Sequence, residues 1–259
     1  MLETLRSRMA STLEGLGRIA LLAHEALTAL FKHHWEGGNV LYQVWFIGIK
    51  SLSVVLITGA FTGMVLCAQT YYQFHKVGMD TATLAVVSIS MCSELGPVLS
   101  GLMVAGRVGA AIAAELGTMK VTEQIDALRA LATHPVDYLV VPRLIATTLA
   151  LPLLTVCSIC VGIAAAYVVG VRLLGIDPAY AWHNMLQYSS NEDVVMGIIK
   201  SVVFGALIAL VGCYKGLNCQ QGAEGVGKAT TEAVVYSSIA ILISNFFLTL
   251  VLTKLLSGD

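Results

Sequence analysis

Charge is scarce in this chain. Asp, Glu, Lys and Arg make up 12% of its 259 residues, while 57% are hydrophobic, against about 25% charge in an ordinary soluble domain. With a mean hydropathy of +0.80, there is too little polar surface to coat a water-soluble fold. The net charge of −1 and the absence of a basic tract give no footprint for nucleic acid. There is no His-Glu-x-x-His zinc motif and no Gly-x-Ser-x-Gly elbow, so hydrolysis has no candidate machinery. The N-terminus does not read as a secretory signal or an organelle transit peptide. The six cysteines all lie in or beside apolar segments, which argues against a secreted disulfide framework. Cys157 and Cys160 have metal or redox spacing but no second pair and no nearby His. They are expected to be small packing residues.

Long apolar runs are what the chain has instead. Residues 1–35 read as an amphipathic helix. Leu2, Leu5, Met9, Leu13, Leu16, Ile19, Ala23, Leu27 and Leu30 recur at three- and four-residue steps, with Arg6, Glu14, Arg18, Glu25 and Lys32 between them. Such a helix lies in the headgroup plane or packs on a protein partner. His33 to Asn39 break the pattern. Five spans follow, each near the roughly 20 apolar residues a bilayer requires. They cover about 44–69, 82–114, 141–171, 194–214 and 233–255. The first carries a small-residue stripe, Gly59-x-x-x-Gly63, that admits a close neighbour. The second is interrupted by Glu94, Gly96-Pro97 and Arg107, and Pro97 is expected to kink it. The polar stretch 115–140 contains a helical pattern at 119–131. Segments 172–193 and 215–232 are expected to be loops. The fold class is therefore an all-α polytopic membrane protein. It has an N-terminal amphipathic interfacial helix (1–35) and a five-helix membrane domain (40–259) with a cytoplasmic helix at about 115–131.

Lys and Arg in the connections set the orientation. With the N-terminus inside, Arg6, Arg8, Arg18, Lys32, Arg107, Lys120, Arg129, Arg143, Lys215 and Lys228 collect on the cytoplasmic side. Lys76, Arg172, Lys200 and Lys254 fall outside. Five spans then place the C-terminus outside.

Glu94 lies within an apolar span, where an ionised carboxylate costs about 2.5–3.5 kcal/mol on insertion scales. It either fixes a neighbouring helix by hydrogen bonding or faces a polar substrate pathway. Arg107 lies ~20 Å further along the same helix, too far to pair with it, and reads as a boundary anchor. Gly222 to Ala229 nearly match a phosphate-binding loop. Ala229 stands where the metal-binding hydroxyl belongs and no strand precedes, so a glycine-rich loop is expected. The helix at 115–131 is either a solvated connector or a handle for a soluble motor, with Glu123, Gln124, Asp126 and Arg129 as its contacts.

Several long motifs carry a resemblance. They are Glu94-Leu-Gly-Pro97-Val-Leu; Ala105-Gly-Arg107 through Glu115 and Lys120 to Glu123-Gln-Ile-Asp126-Ala-Leu; His134-Pro135; Val141-Pro142-Arg143; and Gly225-Val-Gly227 through Thr231 to Ser238. Over residues ~40–255 the chain resembles the MlaE/YrbE permeases. The resemblance implies the membrane subunit of an ABC transporter that moves phospholipids between inner and outer envelope membranes. Its implied partners are a cytoplasmic ABC ATPase, a periplasmic MCE-domain protein and a second permease copy. No cofactor is implied in this chain; ATP and magnesium belong to the ATPase, and the chain itself is not an enzyme. Its implied place is the bacterial inner membrane. The lipid cavity would be lined by Val65, Leu66, Gln69, Tyr72, Ser93 and Glu94. The ATPase-coupling residues would be Glu115, Lys120, Glu123, Gln124, Asp126 and Arg129. Some relatives carry an Arg–Glu pair where this chain has Ser93-Glu94, so headgroup specificity does not carry over. An ion-gradient transporter is disfavoured by the lack of a visible internal repeat; a non-transporting scaffold is the remaining alternative. A reporter active only in the cytoplasm, fused at either end, is expected to be active at the N-terminus and silent at the C-terminus. Activity at both ends would mean an even number of crossings.

Overall fold

The computed structural model describes the backbone of residues 2–32 and 37–256. The break expected at His33 to Glu36 lies outside them. Among the described residues all regular structure is helical. In chain order the elements are α1 (Leu2–Lys32), α2 (Gly37–His75), α3 (Asp80–Val121), α4 (Gln124–Ala130), α5 (Val136–Leu173), α6 (Pro178–Tyr188), α7 (Asn191–Leu217) and α8 (Gly222–Leu256). Of these, α2, α3, α5, α7 and α8 are long and apolar enough to cross a membrane.

Each crossing helix runs further than its hydropathy suggests. Helix formation continues while backbone groups can bond within the chain, even after the side chains turn polar. Segment 215–232, expected to be a loop, therefore contains the first three turns of α8. Segment 172–193 contains α6, whose N-cap Asp177 accepts hydrogen bonds from the backbone N–H groups of Ala179 and Tyr180. A capping box at Ser190 and Asp193 starts α7. The polar helix expected at 119–131 is divided. The end of α3 runs to Val121, Glu123 takes a left-handed conformation at φ 60°, and α4 begins at Gln124.

Helix α3 is not a uniform helix. It contains two π-helical turns, Met91–Leu95 and Ala105–Gly109. The first directly precedes Gly96-Pro97, so Pro97 is accommodated by a widened turn. Such turns are frequent at functional sites. Within α5, Pro142 sits in the first turn of the regular α-helical stretch and Pro152 lies inside it.

The most extensive packing joins α2 to α5. Gly59 lies on Ser158, and Gly63 faces the backbone carbonyl of Gly162, with no space for a Cβ. The main core gathers Val104, Ile112 and Leu116 of α3, Leu151 of α5, Phe204 and Ile208 of α7, and Ile241 of α8. A second cluster contains Cys67, Leu84, Met91, Ala166, Ile176 and Met185. Helix α1 buries Ala26 and Ala29 while Leu21 and Leu27 remain exposed. Helix α8 buries one narrow stripe, Gly225, Ala229, Ala233, Ser237 and Ile241, with Leu252 near its end. Its other faces, including Leu242, Phe246, Phe247 and Leu250, are uncovered by this chain.

Gly63→Leu is expected to lower stability by about 1–3 kcal/mol, the usual cost of overpacking. The readout is the unfolding midpoint of the purified protein in detergent. Gly227→Ala, inside α8 at a position open to space, should raise the midpoint slightly, by up to about 1 kcal/mol of helix propensity. Equal midpoints for both would mean that α2 and α5 do not meet at Gly63.

Candidate functional site

The polar chemistry inside the apolar bundle converges on Glu94. Helix α7 presses onto the π turn of α3, where Gly197 faces the carbonyl of Cys92 and a Cβ would not fit. One turn further along α7, the ammonium of Lys200 arrives beside Glu94. It donates to Glu94 Oε1 at 2.6 Å, to the Ser93 carbonyl at 2.9 Å and to Thr249 Oγ1 at 2.8 Å. The Ser93 carbonyl is the acceptor that the N–H of residue 97 would reach in a regular helix. Proline has none, and Lys200 supplies the missing donor. Helix α8 closes the cluster. Asn245 Nδ2 donates to Glu94 Oε2 at 3.0 Å, and Thr249 Oγ1 lies 2.9 Å from Glu94 Oε1. The side chain of Lys200 is completely buried, whereas that of Glu94 is 35% exposed.

Lys200 was expected among the outer charges, and the structure corrects that. It lies inside a crossing helix and answers the cost of Glu94 with an opposite charge. The signal was present in the sequence: Lys200 and Glu94 both fall within the apolar spans, and charged residues there face protein and pair. Asn245 and Thr249 gave no such signal, because polar uncharged residues in a membrane helix have many possible partners.

The other predicted cavity residues divide by location. Val65, Gln69 and Tyr72 lie on the exposed side of α2. Leu66 is half-buried against the second core cluster. Ser93 is buried, with its hydroxyl donating to the Ile89 carbonyl. The contacts of Glu94 are with α7 and α8, so the structure joins Ser93 and Glu94 in one cluster and leaves the α2 residues outside it.

On the predicted cytoplasmic side, four of the six coupling candidates are engaged within the chain. Glu115 accepts from Arg143 at 2.9 Å, tying α3 to α5. Asp126 accepts from Lys120 at 3.0 Å and from Arg129 at 3.1 Å. These bonds clasp the turn at Glu123. The hydrogen bond from Lys120, with the charges of both cations, holds the Asp126 carboxyl below its ordinary range. A depressed carboxylate keeps its contribution at neutral pH and loses it only as pH falls through the lowered value. Glu123 and Gln124 remain exposed.

Several further expectations are settled by location. Arg107 is half-buried and donates to Ser51 Oγ of α2 at 2.6 Å, so it joins two crossing helices. Gly222 to Ala229 form the start of α8 and not a loop, with Gly225 packed on the Gln220 carbonyl. Cys157 and Cys160, expected to be packed, are exposed on α5. No group of His, Cys, Asp and Glu among the described residues is arranged to hold a metal.

Five crossing helices, a charge pair within them and a clasped polar turn at their end are the arrangement of a multi-pass membrane protein. Comparison with known proteins agrees. The family model for permease MlaE matches residues 40–251, and this chain belongs to the MlaE permease family. A probable ABC transporter permease protein of Rickettsia typhi is 44% identical over 241 residues, 93% of each chain. One from Synechocystis is 48% identical over 210 residues, 81% of this chain and 80% of the relative. The intermembrane phospholipid transport system permease protein MlaE of Haemophilus influenzae is 33% identical over 238 residues, 92% of this chain and 91% of the relative. The chain is thus an ABC transporter permease.

Lys200→Met is expected to destabilise the protein by about 3–5 kcal/mol, because it leaves one member of a buried pair uncompensated. Adding Glu94→Gln should recover most of the loss. The measurement is thermal unfolding in detergent. A single variant as stable as the unaltered protein would mean that the pair contributes nothing.

Proposed function

We propose that this chain is the membrane-spanning subunit of a phospholipid transporter of the bacterial inner membrane, working between inner and outer envelope membranes. Energy comes from a separate cytoplasmic ATPase that binds ATP and magnesium. The observation that carries this reading is Glu94, a carboxylate one-third exposed within an apolar bundle and fixed by a fully buried cation. A polar point inside a membrane protein, reached past uncovered apolar helix faces, suits a substrate with a polar head and long apolar tails. The name of the Haemophilus relative, an intermembrane phospholipid transport system permease protein, supports the same cargo class.

In this reading the apolar faces of α8 left uncovered by the chain receive a second permease copy. The lipid lies between the copies, along Val65, Leu66, Gln69 and Tyr72 of α2 and beside Ser93 and Glu94. A periplasmic MCE-domain protein docks on the outer side. The N-terminus is cytoplasmic and the C-terminus periplasmic. The ATPase engages the turn at 121–131, with Glu123 and Gln124 as its exposed contacts. The Lys120–Asp126–Arg129 clasp, together with Glu115–Arg143, makes that turn stiff enough to pass a push into α3 and α5. Motor closure then biases a two-state arrangement of the membrane helices.

Gentle purification from the native membrane should recover an ABC ATPase, an MCE-domain protein and bound phospholipid in fixed proportion. Recovery of the chain alone, from a preparation that preserves other assemblies, would refute the motor. Glu123→Lys and Asp126→Lys are expected to reduce ATP-driven lipid transfer in reconstituted vesicles by at least about tenfold, equivalent to roughly 1.4 kcal/mol in the barrier to transfer. Membrane insertion should remain normal. Full transfer by both variants would remove this turn as the handle.

A further inference from the structure

A separate polar site lies at the far end of α7, roughly 20 Å along the helix from Lys200. There a cavity of about 280 Å³ opens between α1, the last turn of α7 and the first turns of α8. Each helix contributes one cation to its lining: Arg18, Lys215 and Lys228. Glu232 is the one carboxylate among the described lining residues.

That carboxylate is already engaged. Lys215 donates to Glu232 Oε2 at 2.7 Å and lies 3.9 Å from the centre of the Tyr236 ring. Arg18 gives Glu14 one hydrogen bond at 2.6 Å, and a guanidinium has five N–H donors. Lys228 is exposed and meets no carboxylate among the described residues. Glu224, in the first turn of α8, does not line the cavity. The lining is therefore positive, with donors on Arg18 and Lys228 that no described protein group accepts. A bias of Lys and Arg toward the inner side explains cations at this end. It does not explain why three helices bring theirs to one cavity, where like charges repel unless an anion lies among them.

The chemistry of the lining selects the anion. A guanidinium fork and ammonium groups are the usual donors to phosphate oxygens. The cavity is smaller than the roughly 300–1,000 Å³ of sites for drug-sized ligands, which suits a phosphate with a short substituent and not a whole nucleotide. Gly222 to Ala229, the near match to a phosphate-binding loop, form one wall through Gly225, Lys228 and Ala229. Ala229 carries no hydroxyl for magnesium, so the match fits a phosphate held without a metal.

We infer that Arg18, Lys215 and Lys228 form a binding site for a metal-free phosphate group, either that of an anionic phospholipid headgroup or free phosphate. Bound there, the anion fastens α1 to α7 and α8, whose cations otherwise repel. The site is distinct from the Glu94 cluster and does not depend on what the permease carries. Exposed Leu21 and Leu27 give α1 an apolar face for the acyl boundary, which sets Arg18 at headgroup depth and favours the lipid source.

The test uses the full chain, purified in detergent and delipidated. It is titrated with dioctanoyl phosphatidylglycerol, with inorganic phosphate, and with dioctanoylglycerol, which has the same tails and no phosphate. Binding is read from the rise in unfolding midpoint. Phosphatidylglycerol is expected to bind, and Arg18→Gln combined with Lys228→Gln to weaken it about thirtyfold, the effect of two cations at about 1 kcal/mol each. Both side chains are exposed, so the midpoint without ligand should barely move. Arg18→Lys combined with Lys228→Arg keeps the charge and should bind within about threefold of the unaltered chain. Binding of phosphatidylglycerol but not inorganic phosphate assigns the site to a lipid headgroup; binding of both assigns it to phosphate from either source. Equal binding of dioctanoylglycerol and phosphatidylglycerol would overturn the site, as would undiminished binding by the charge-removing pair or equal losses in the two pairs. None of these outcomes bears on the permease reading.

Discussion

An ammonium group sealed inside a bundle of apolar helices persists only while every one of its protons is accepted and its charge is met. Lys200 satisfies both conditions through α3 and α8 at once, and the arrangement of three crossing helices follows from that. The π turn at Met91–Leu95 and the absence of an N–H at Pro97 leave the Ser93 carbonyl open. Gly197 lets α7 approach closely enough to fill it. Asn245 and Thr249 on α8 occupy the remaining sides. Helix α8, otherwise held by a stripe of small residues, is thereby given a fixed rotation about its axis.

A similar economy governs three further cations of the crossing helices, Arg107, Arg143 and Lys215. Arg107 and Arg143 each reach a partner on a different crossing helix: Ser51 on α2 for the first, Glu115 on α3 for the second. Lys215 pairs with Glu232 and lies over the ring of Tyr236, joining α7 to α8. These contacts fasten neighbouring helices where glycine and alanine stripes give close approach but little specificity. Packing of small residues sets how near two helices come, and the polar pairs set their register.

The polar turn between α3 and α4 illustrates how residues spaced like surface contacts can be taken up within the chain. Glu115, Lys120, Asp126 and Arg129 have the spacing of surface contacts, but they are satisfied within the chain. Glu123, at a left-handed bend between two helices, and Gln124 are left to face outward. Stiffness at an exposed turn comes from such internal bonds.

Much of this protein was fixed by composition and periodicity. Long uncharged runs can bury their backbone polar groups only as helices, so the all-α membrane architecture and its number of crossings were legible before any coordinates. The motifs around Glu94 and 105–128 carried the family. Partnership was not legible. Lys200 and Glu94 are 106 residues apart, and nothing local ties them; α7 has to lie against the π turn before the two charges meet. Asn245 and Thr249, ordinary polar residues in an apolar helix, became part of the site only through the rotation of α8. The sequence by itself determined which segments enter the membrane, because that depends on each segment's own transfer free energy. Only the tertiary structure decided which charges pair, because pairing depends on the distances between segments.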